Sequence, residues 1–118
     1  MKRMNIKLRK AWTAALRSGQ YKQGKMKLRR SSMVEGDTYC CLGVLCEVCI
    51  KETKLVKRHK NGYLLPDTNK RTANSCLLTE VFMDKIKLNK EKAVKLIAMN
   101  DSLNRSFARI ADYIDRYV

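Results

Sequence analysis

The sequence predicts a single α+β domain in which a small antiparallel sheet is framed by helices. Apolar stripes with helical spacing occupy both ends of the chain, and residues 39–50 are almost entirely apolar or cysteine. An Asn-Gly pair lies between two short strand-like segments in the middle. The 118 residues suit one domain spanning 1–118, because soluble domains contain roughly 100–200 residues.

The N-terminal segment has the pattern of an amphipathic helix that ends near Ser18-Gly19. Its apolar stripe comprises Met4, Leu8, Ala11, Trp12 and Ala15. Alternation over residues 25–29 predicts a half-buried strand, and residues 35–37 (Glu-Gly-Asp) predict a turn. The length of the apolar segment 39–50 does not decide between a strand and a helix, and we favour a short strand through Tyr39 that runs into a buried helix.

The middle of the chain predicts a hairpin made of residues 54–58 and 62–65. The pair Asn61-Gly62 favours the positive φ angles of a tight turn, and Pro66 ends the second strand. Residues 67–75 are polar and predict a loop, and residues 77–82 predict one or two helical turns.

The last third predicts two helices. The first contains the apolar residues of 93–97 and ends at residues 99–101, and Ser106 is a suitable N-cap for the second. The second has apolar residues at intervals of three and four, namely Phe107, Ile110, Ala111, Ile114 and Val118.

The charge distribution indicates a phosphate-bearing partner. The chain has 26 Lys+Arg against 11 Asp+Glu, a net charge of +15, and residues 1–34 hold 11 of the cations and no acid. Such a positive field attracts anions, whether the phosphates of a polymer, lipid headgroups or a small nucleotide. Charge alone does not choose among them.

Several classes of protein are not expected. No apolar run approaches the ~20 residues of a membrane span, and the basic N-terminus lacks the apolar core of a secretory signal. One histidine, no Gly-rich phosphate loop and no nucleophile–base pattern argue against an enzyme or a cofactor site.

The cysteines predict buried, reduced thiols rather than disulfides or a metal site. Their number is odd: Cys40, Cys41, Cys46, Cys49 and Cys76. The Cys46-x-x-Cys49 pair lacks the second pair of ligands that zinc normally needs, and His59 lies in the predicted hairpin.

Five residues form a candidate set for binding a nucleotide. Arginine suits phosphate oxygens, aspartate accepts ribose hydroxyls, an aromatic ring stacks on a purine, and asparagine reads a base edge. Two of them, at positions 109 and 115, lie about 120° apart on a helix, which suits a pocket shared between subunits. The set is Phe82, Asn100, Arg105, Arg109 and Asp115.

Three blocks of the sequence carry a resemblance to a phage family. They are Trp12-Thr-Ala-Ala-Leu-Arg-Ser-Gly-Gln-Tyr-Lys-Gln-Gly24, Tyr39-Cys-Cys-Leu-Gly-Val-Leu-Cys46, and Met99-Asn-Asp101 with Ser106-Phe-Ala-Arg-Ile-Ala-Asp-Tyr-Ile114. In this order they resemble the type 1 anti-Thoeris proteins, whereas residues 54–75 match no pattern of that family.

The resemblance implies a virus-encoded sponge in the host bacterial cytoplasm. Such a protein binds, without cleaving it, a cyclic ADP-ribose isomer that a TIR-domain protein makes as an immune signal. The resemblance also implies a homodimer or hexamer with pockets between subunits, and cyclic oligonucleotides as a second ligand class. It carries over Phe82, Arg109 and Asp115 most directly, and Asn100 and Arg105 less closely.

Two other functions stay open. The charge of +15 by itself also suits a small phage DNA- or RNA-binding regulator. A third hypothesis is an inhibitor that binds a bacterial defence protein directly.

Overall fold

The computed structural model of the chain describes residues 3–59, 62–66 and 78–118. These residues form five helices and two antiparallel hairpins, which confirms the predicted single α+β domain. The order is α1 (Ile6–Arg17), β1 (Arg29–Ser32), β2 (Gly36–Tyr39), α2 (Cys41–Glu52), β3 (Lys57–His59), β4 (Gly62–Leu64), α3 (Glu80–Ile86), α4 (Lys90–Asp101) and α5 (Phe107–Tyr117). In the described part of the chain, no helix has the length and apolarity to cross a membrane.

Helix α2 is the centre of the core. Residues 41–49 are buried on every side of this helix, which explains why its sequence has no polar face. Helix α1 packs on both α2 and α5. Trp12 of α1 is fully buried, as predicted, and its Nε1–H donates to the Cys41 carbonyl oxygen at 2.9 Å. The indole therefore joins the first helix to the central one.

The structure confirms the predicted N-cap and the predicted apolar face of the C-terminal helix. Ser106 is the N-cap, since its Oγ accepts a hydrogen bond from the backbone N–H of Arg109 at 3.3 Å. The face that α5 buries consists of Phe107, Ile110, Ala111 and Ile114.

Several predicted boundaries are wrong. The first strand begins at Arg29 rather than at residue 25, because Met26 has a left-handed φ of +73° that no regular strand allows. The turn covers residues 33–35, so that Gly36 and Asp37 already belong to β2. Helix α3 covers Glu80–Ile86 rather than residues 77–82, because Thr79 caps it through the N–H of Phe82.

The second hairpin is shorter than predicted. Its strands begin at Lys57 and end at Leu64, and a φ of +59° at Lys54 interrupts the extended conformation before them. Residues 60–61 of the predicted turn and the predicted loop at 67–75 lie outside the described residues.

A buried arginine connects the two hairpins. Arg29 of β1 faces inward, and its Nη2 donates to the Gly62 carbonyl oxygen of β4 at 3.2 Å. Its guanidinium also lies 5.4 Å from the centre of the Tyr63 ring and 3.4 Å from an Asp37 oxygen. Because side chains alternate along a strand, the next residue, Arg30, lies on the outer face of the same hairpin.

Candidate functional site

A cleft of about 580 Å³ lies between residues 22–27 and the β1–β2 hairpin. Its walls carry four cations, three hydroxyls and one carboxylate, which belong to Lys22, Lys25, Lys27, Arg30, Ser31, Ser32, Thr38 and Glu35. Within residues 3–59, 62–66 and 78–118, none of the four cations forms an ion pair. Their charges therefore add up in the cleft and favour an anion there.

One wall of the cleft depends on a glycine. Residues 22–24 run parallel to β2: the Gly24 N–H donates to the Tyr39 carbonyl at 2.7 Å, and the Tyr39 N–H donates to the Lys22 carbonyl at 2.9 Å. A Cβ at position 24 would lie 2.6 Å from Thr38 Oγ1. Only a glycine lets the segment approach β2 this closely without displacing Thr38.

The same segment is tied to the connection between α4 and α5. Gln23 Nε2 donates to Asn100 Oδ1 at 2.9 Å and to the Arg105 carbonyl at 2.8 Å. The Met26 N–H donates to Asp101 Oδ1 at 3.1 Å, which holds the unusual backbone conformation of that residue. Lys25 Nζ donates to Asn104 Oδ1. These contacts fix the cleft wall through residues that lie about eighty positions away in the sequence.

The structure brings two of the predicted ligand residues together at this junction. Asn100 is fully buried, and its Nδ2 donates to the Gly24 carbonyl and to Asp101 Oδ1, both at 2.8 Å. In this arrangement its amide positions the cleft wall. Arg105 is exposed, and its backbone carbonyl accepts from Gln23, which places its main chain at the junction.

The other three predicted residues have different surroundings. Phe82 is fully buried in the core, so its ring faces no solvent in this conformation. Asp115 is bound by Arg17, whose Nη2 lies 2.8 Å from Asp115 Oδ2 and 2.8 Å from Asp112 Oδ1. Those two carboxylates raise the pKa of the Arg17 guanidinium, mainly through these hydrogen bonds. Arg109 is exposed on α5. The binding of a ligand by Phe82, Arg109 and Asp115 in a pocket between subunits stays a prediction.

The cleft residues were missed by sequence reasoning because no short motif marks them. The usable signals were the acid-free stretch up to position 34 and a glycine at position 24 inside one of the three family-like blocks. Neither signal shows that Lys22, Lys25, Lys27 and Arg30 meet around one cleft. That information lies in the long-range contacts of Gln23 and Met26.

Four of the five cysteines are core residues in the structure, and Cys76 lies outside the described residues. Cys40, Cys41, Cys46 and Cys49 are buried as thiols. Burial raises the pKa of the Cys41 and Cys46 thiols, and it raises the pKa of Cys49 to about 12. In the part of the chain that the structure describes, no group of three or more His, Cys, Asp or Glu residues could hold a metal ion.

A buried carboxylate on α2 holds the second hairpin. Glu47 accepts from Arg58 Nε at 2.9 Å, from Arg58 Nη2 at 2.7 Å and from the Tyr63 hydroxyl at 2.6 Å. Burial, followed by the Glu47 hydrogen bond, raises the pKa of Tyr63 well above its usual range. This paired group stabilises the packing of β3 and β4 on α2.

Comparison with known proteins gives a family without a described activity. No curated protein and no solved structure matches the chain. The model of one family, described as a domain of unknown function (DUF8296), matches residues 4–118. Because this match covers nearly the whole chain, the protein belongs to the DUF8296 family.

Proposed function

We propose that this protein is a phage-encoded sponge that binds and sequesters, without cleaving it, a cyclic ADP-ribose isomer made as an immune signal in the host bacterial cytoplasm. The observation that carries the proposal is the cleft with four cations that have no carboxylate partner among the described residues. The resemblance of three sequence blocks to the type 1 anti-Thoeris family supplies the identity of the ligand.

The chemistry of the cleft suits a pyrophosphate. Lysine and arginine form charge-assisted hydrogen bonds to phosphate oxygens, and the hydroxyls of Ser31, Ser32 and Thr38 can donate to the same anion. A volume of about 580 Å³ lies within the ~300–1,000 Å³ range of small-molecule sites. The main chain of the exposed Arg105 lies at the Gln23 junction, and we propose its guanidinium as a further donor for the ligand.

The lining favours binding over turnover. Hydrolysis of a nucleotide needs a positioned acid, base or metal beside the reacting bond. Among the described residues, the cleft walls contain one carboxylate, that of Glu35, and neither a histidine nor a cysteine. These walls are suited to hold an anion by charge and hydrogen bonds.

Sequestration sets a demand on affinity. The Kd of a sponge must lie below the concentration of the signal, and a nanomolar Kd corresponds to about 12 kcal/mol of binding free energy. Charge-assisted contacts in a preformed cleft reach this value most readily when further groups bind the base and ribose. We propose that Arg109 and Asp115 supply those groups in a homo-oligomer, either a dimer or a hexamer, with cyclic oligonucleotides as a second ligand class. The ring of Phe82 is buried in the single chain, and its part in binding requires that ligand or subunit contact exposes it.

The experiment is a capture-and-release assay. The protein is mixed with the cyclic ADP-ribose isomer, free ligand is measured, and the sample is then heat-denatured and measured again. We expect depletion followed by recovery of intact ligand, and we expect Arg109→Ala to abolish capture with the fold retained. Absence of depletion by the wild type would refute the proposal, and recovery of a cleaved ligand would identify an enzyme.

The same cleft supports a second candidate, a DNA- or RNA-binding regulator. Its four cations could neutralise phosphates along a strand instead of one small ligand. A nucleic-acid binder loses affinity steeply with salt, by roughly 10³–10⁵-fold between 50 and 200 mM for six to ten phosphate contacts. Binding to duplex or single strands with such a slope, and no capture of the cyclic nucleotide, would favour this candidate.

A further inference from the structure

An apolar recess of about 460 Å³ lies between the end of α2 and strand β3. Ile50, in the last turn of α2, and Val56, which is buried, form its floor. The aliphatic stems of Lys54, Lys57 and Arg58 complete its walls, which are almost entirely apolar. This α2–β3 recess shares no residue with the cleft described above, so it is a separate surface of the protein.

The rim of the α2–β3 recess is positively charged. Arg58 is held by a carboxylate, since its Nη2 lies 2.7 Å from Glu47 Oε1. Lys54 and Lys57 are exposed and form no ion pair with the described residues. The recess therefore favours an occupant that is apolar and also carries negative charge. A second copy of a chain with a net charge of +15 would instead bring more positive charge to this rim.

Strand β3 gives the α2–β3 recess a sheet edge. Among the described residues, β3 pairs with β4 alone. Val56 and Arg58 lie two residues apart and both line the recess, so they share the face of this segment that is turned to α2. An extended segment added to the edge of β3 would direct every second side chain to the same face, and therefore into the recess. The edge residue Lys57 opposes pairing with the same edge of another copy but suits an acidic segment.

We propose that the α2–β3 recess binds an extended, acidic segment of another protein. An aliphatic side chain of that segment packs on Ile50 and Val56, and its carboxylates lie beside Lys54 and Lys57. A nucleic acid fits less well, because the described walls of the recess contain no aromatic ring on which a base could stack. A membrane also fits less well, because it is bound by apolar side chains that project from the surface rather than by a concave floor. The inference requires no cyclic nucleotide and therefore stands apart from the proposed function.

Fluorescence anisotropy with a labelled synthetic peptide tests the proposal on the full-length protein. The probe is a short peptide in which leucine alternates with aspartate, and its matched control has serine in place of leucine. We expect binding of the leucine peptide only, because attraction to the net charge of +15 would act on both peptides alike. In NMR spectra of isotope-labelled protein, the amide shift changes should fall on Ile50, Val56 and β3 rather than on the cleft.

A charge reversal at the rim tests the electrostatic part of the contact. Lys54→Glu/Lys57→Glu should weaken binding of the leucine peptide by roughly tenfold or more, because repulsion replaces attraction on both sides of the recess. Lys95→Glu/Arg116→Glu changes the net charge equally at exposed positions on α4 and α5, and it should bind the peptide like the wild type. Circular dichroism and thermal melting establish that each variant is folded.

Several results would overturn the proposal. They are no binding of the leucine peptide, equal binding of the serine peptide, shift changes confined to the cleft, or an unchanged affinity for Lys54→Glu/Lys57→Glu. Binding to phosphatidylglycerol vesicles that this variant abolishes, in place of peptide binding, would identify a membrane as the occupant. A sedimentation coefficient that this variant lowers would identify a second copy of the chain, and either result would also contradict the proposal.

Discussion

Replacing Gly43 by alanine should destabilise the protein, although alanine is the better helix former. Gly43 lies within α2, where a glycine normally costs roughly 0.5–1 kcal/mol relative to alanine. Helix propensity alone therefore predicts stabilisation by that amount. The surroundings of Gly43 predict the opposite sign, so the direction of the change decides between the two.

The magnitude follows from the contact between α2 and the residue before β1. A Cβ at position 43 would lie 1.7 Å from the Leu28 carbonyl oxygen and 2.7 Å from its carbonyl carbon. Since these are backbone atoms, the two segments must separate to admit the methyl group, which also disturbs the hydrogen bond from the Cys40 N–H to Leu28 O. Overpacking a core typically costs about 1–3 kcal/mol, which exceeds the gain in helix propensity.

Urea denaturation monitored by circular dichroism measures the effect. We expect the midpoint of Gly43→Ala to fall with the m-value unchanged, as in a change of stability alone. Gly19→Ala is a useful control, because nothing lies within 4 Å of its Cβ and its cost comes only from a φ of +78°. A Gly43→Ala midpoint equal to or above that of the wild type would refute the proposed close packing.

Three further predictions concern stability, pH and the cleft. Arg58→Ala should lower the free energy of unfolding by about 2–4 kcal/mol in urea denaturation, because it leaves the buried Glu47 carboxylate without two of its donors; an unchanged midpoint would contradict this. Stability should decrease as pH rises from about 9 towards 12, because Cys49 has a pKa of about 12 when folded and ordinary thiols ionise near 9 in the unfolded chain. Thermal melts across this pH range measure the decrease, and a constant melting temperature would contradict the prediction. Gly24→Ala should weaken ligand capture at least tenfold with the fold retained, since the added methyl group meets Thr38 and displaces the cleft wall; undiminished capture would contradict the role of that wall.

The sequence predicts the helices of this protein well, because their signals are local. The stripe around Trp12 and the Ser106 cap with the Phe107 to Ile114 face depend only on residues within the same helix. The almost entirely apolar segment 39–50 did not by itself decide between strand and helix, and the preferred prediction, a short strand through Tyr39 that runs into a buried helix, is confirmed.

The cleft could not be predicted from local patterns. Residues 25–29 alternate like a strand, but the hydrogen bond from Met26 to Asp101 bends the chain at that point. Asparagine is a residue type that can bind a base edge, yet the amide of Asn100 forms hydrogen bonds to Gln23 and Gly24 instead. Both outcomes depend on partners more than seventy positions away, for which a single sequence contains no periodic signal.

Calorimetric titration with the cyclic ADP-ribose isomer tests most directly whether the cleft cations hold the ligand. The double variant Lys25→Gln/Arg30→Gln removes two of these cations, and Lys95→Gln removes one exposed charge on α4 as a matched control. Charge-assisted hydrogen bonds contribute about 1.5–3 kcal/mol each, so we predict a Kd at least 100-fold weaker for the double variant and unchanged for the control. Equal affinities for the double variant and the wild type would contradict the account.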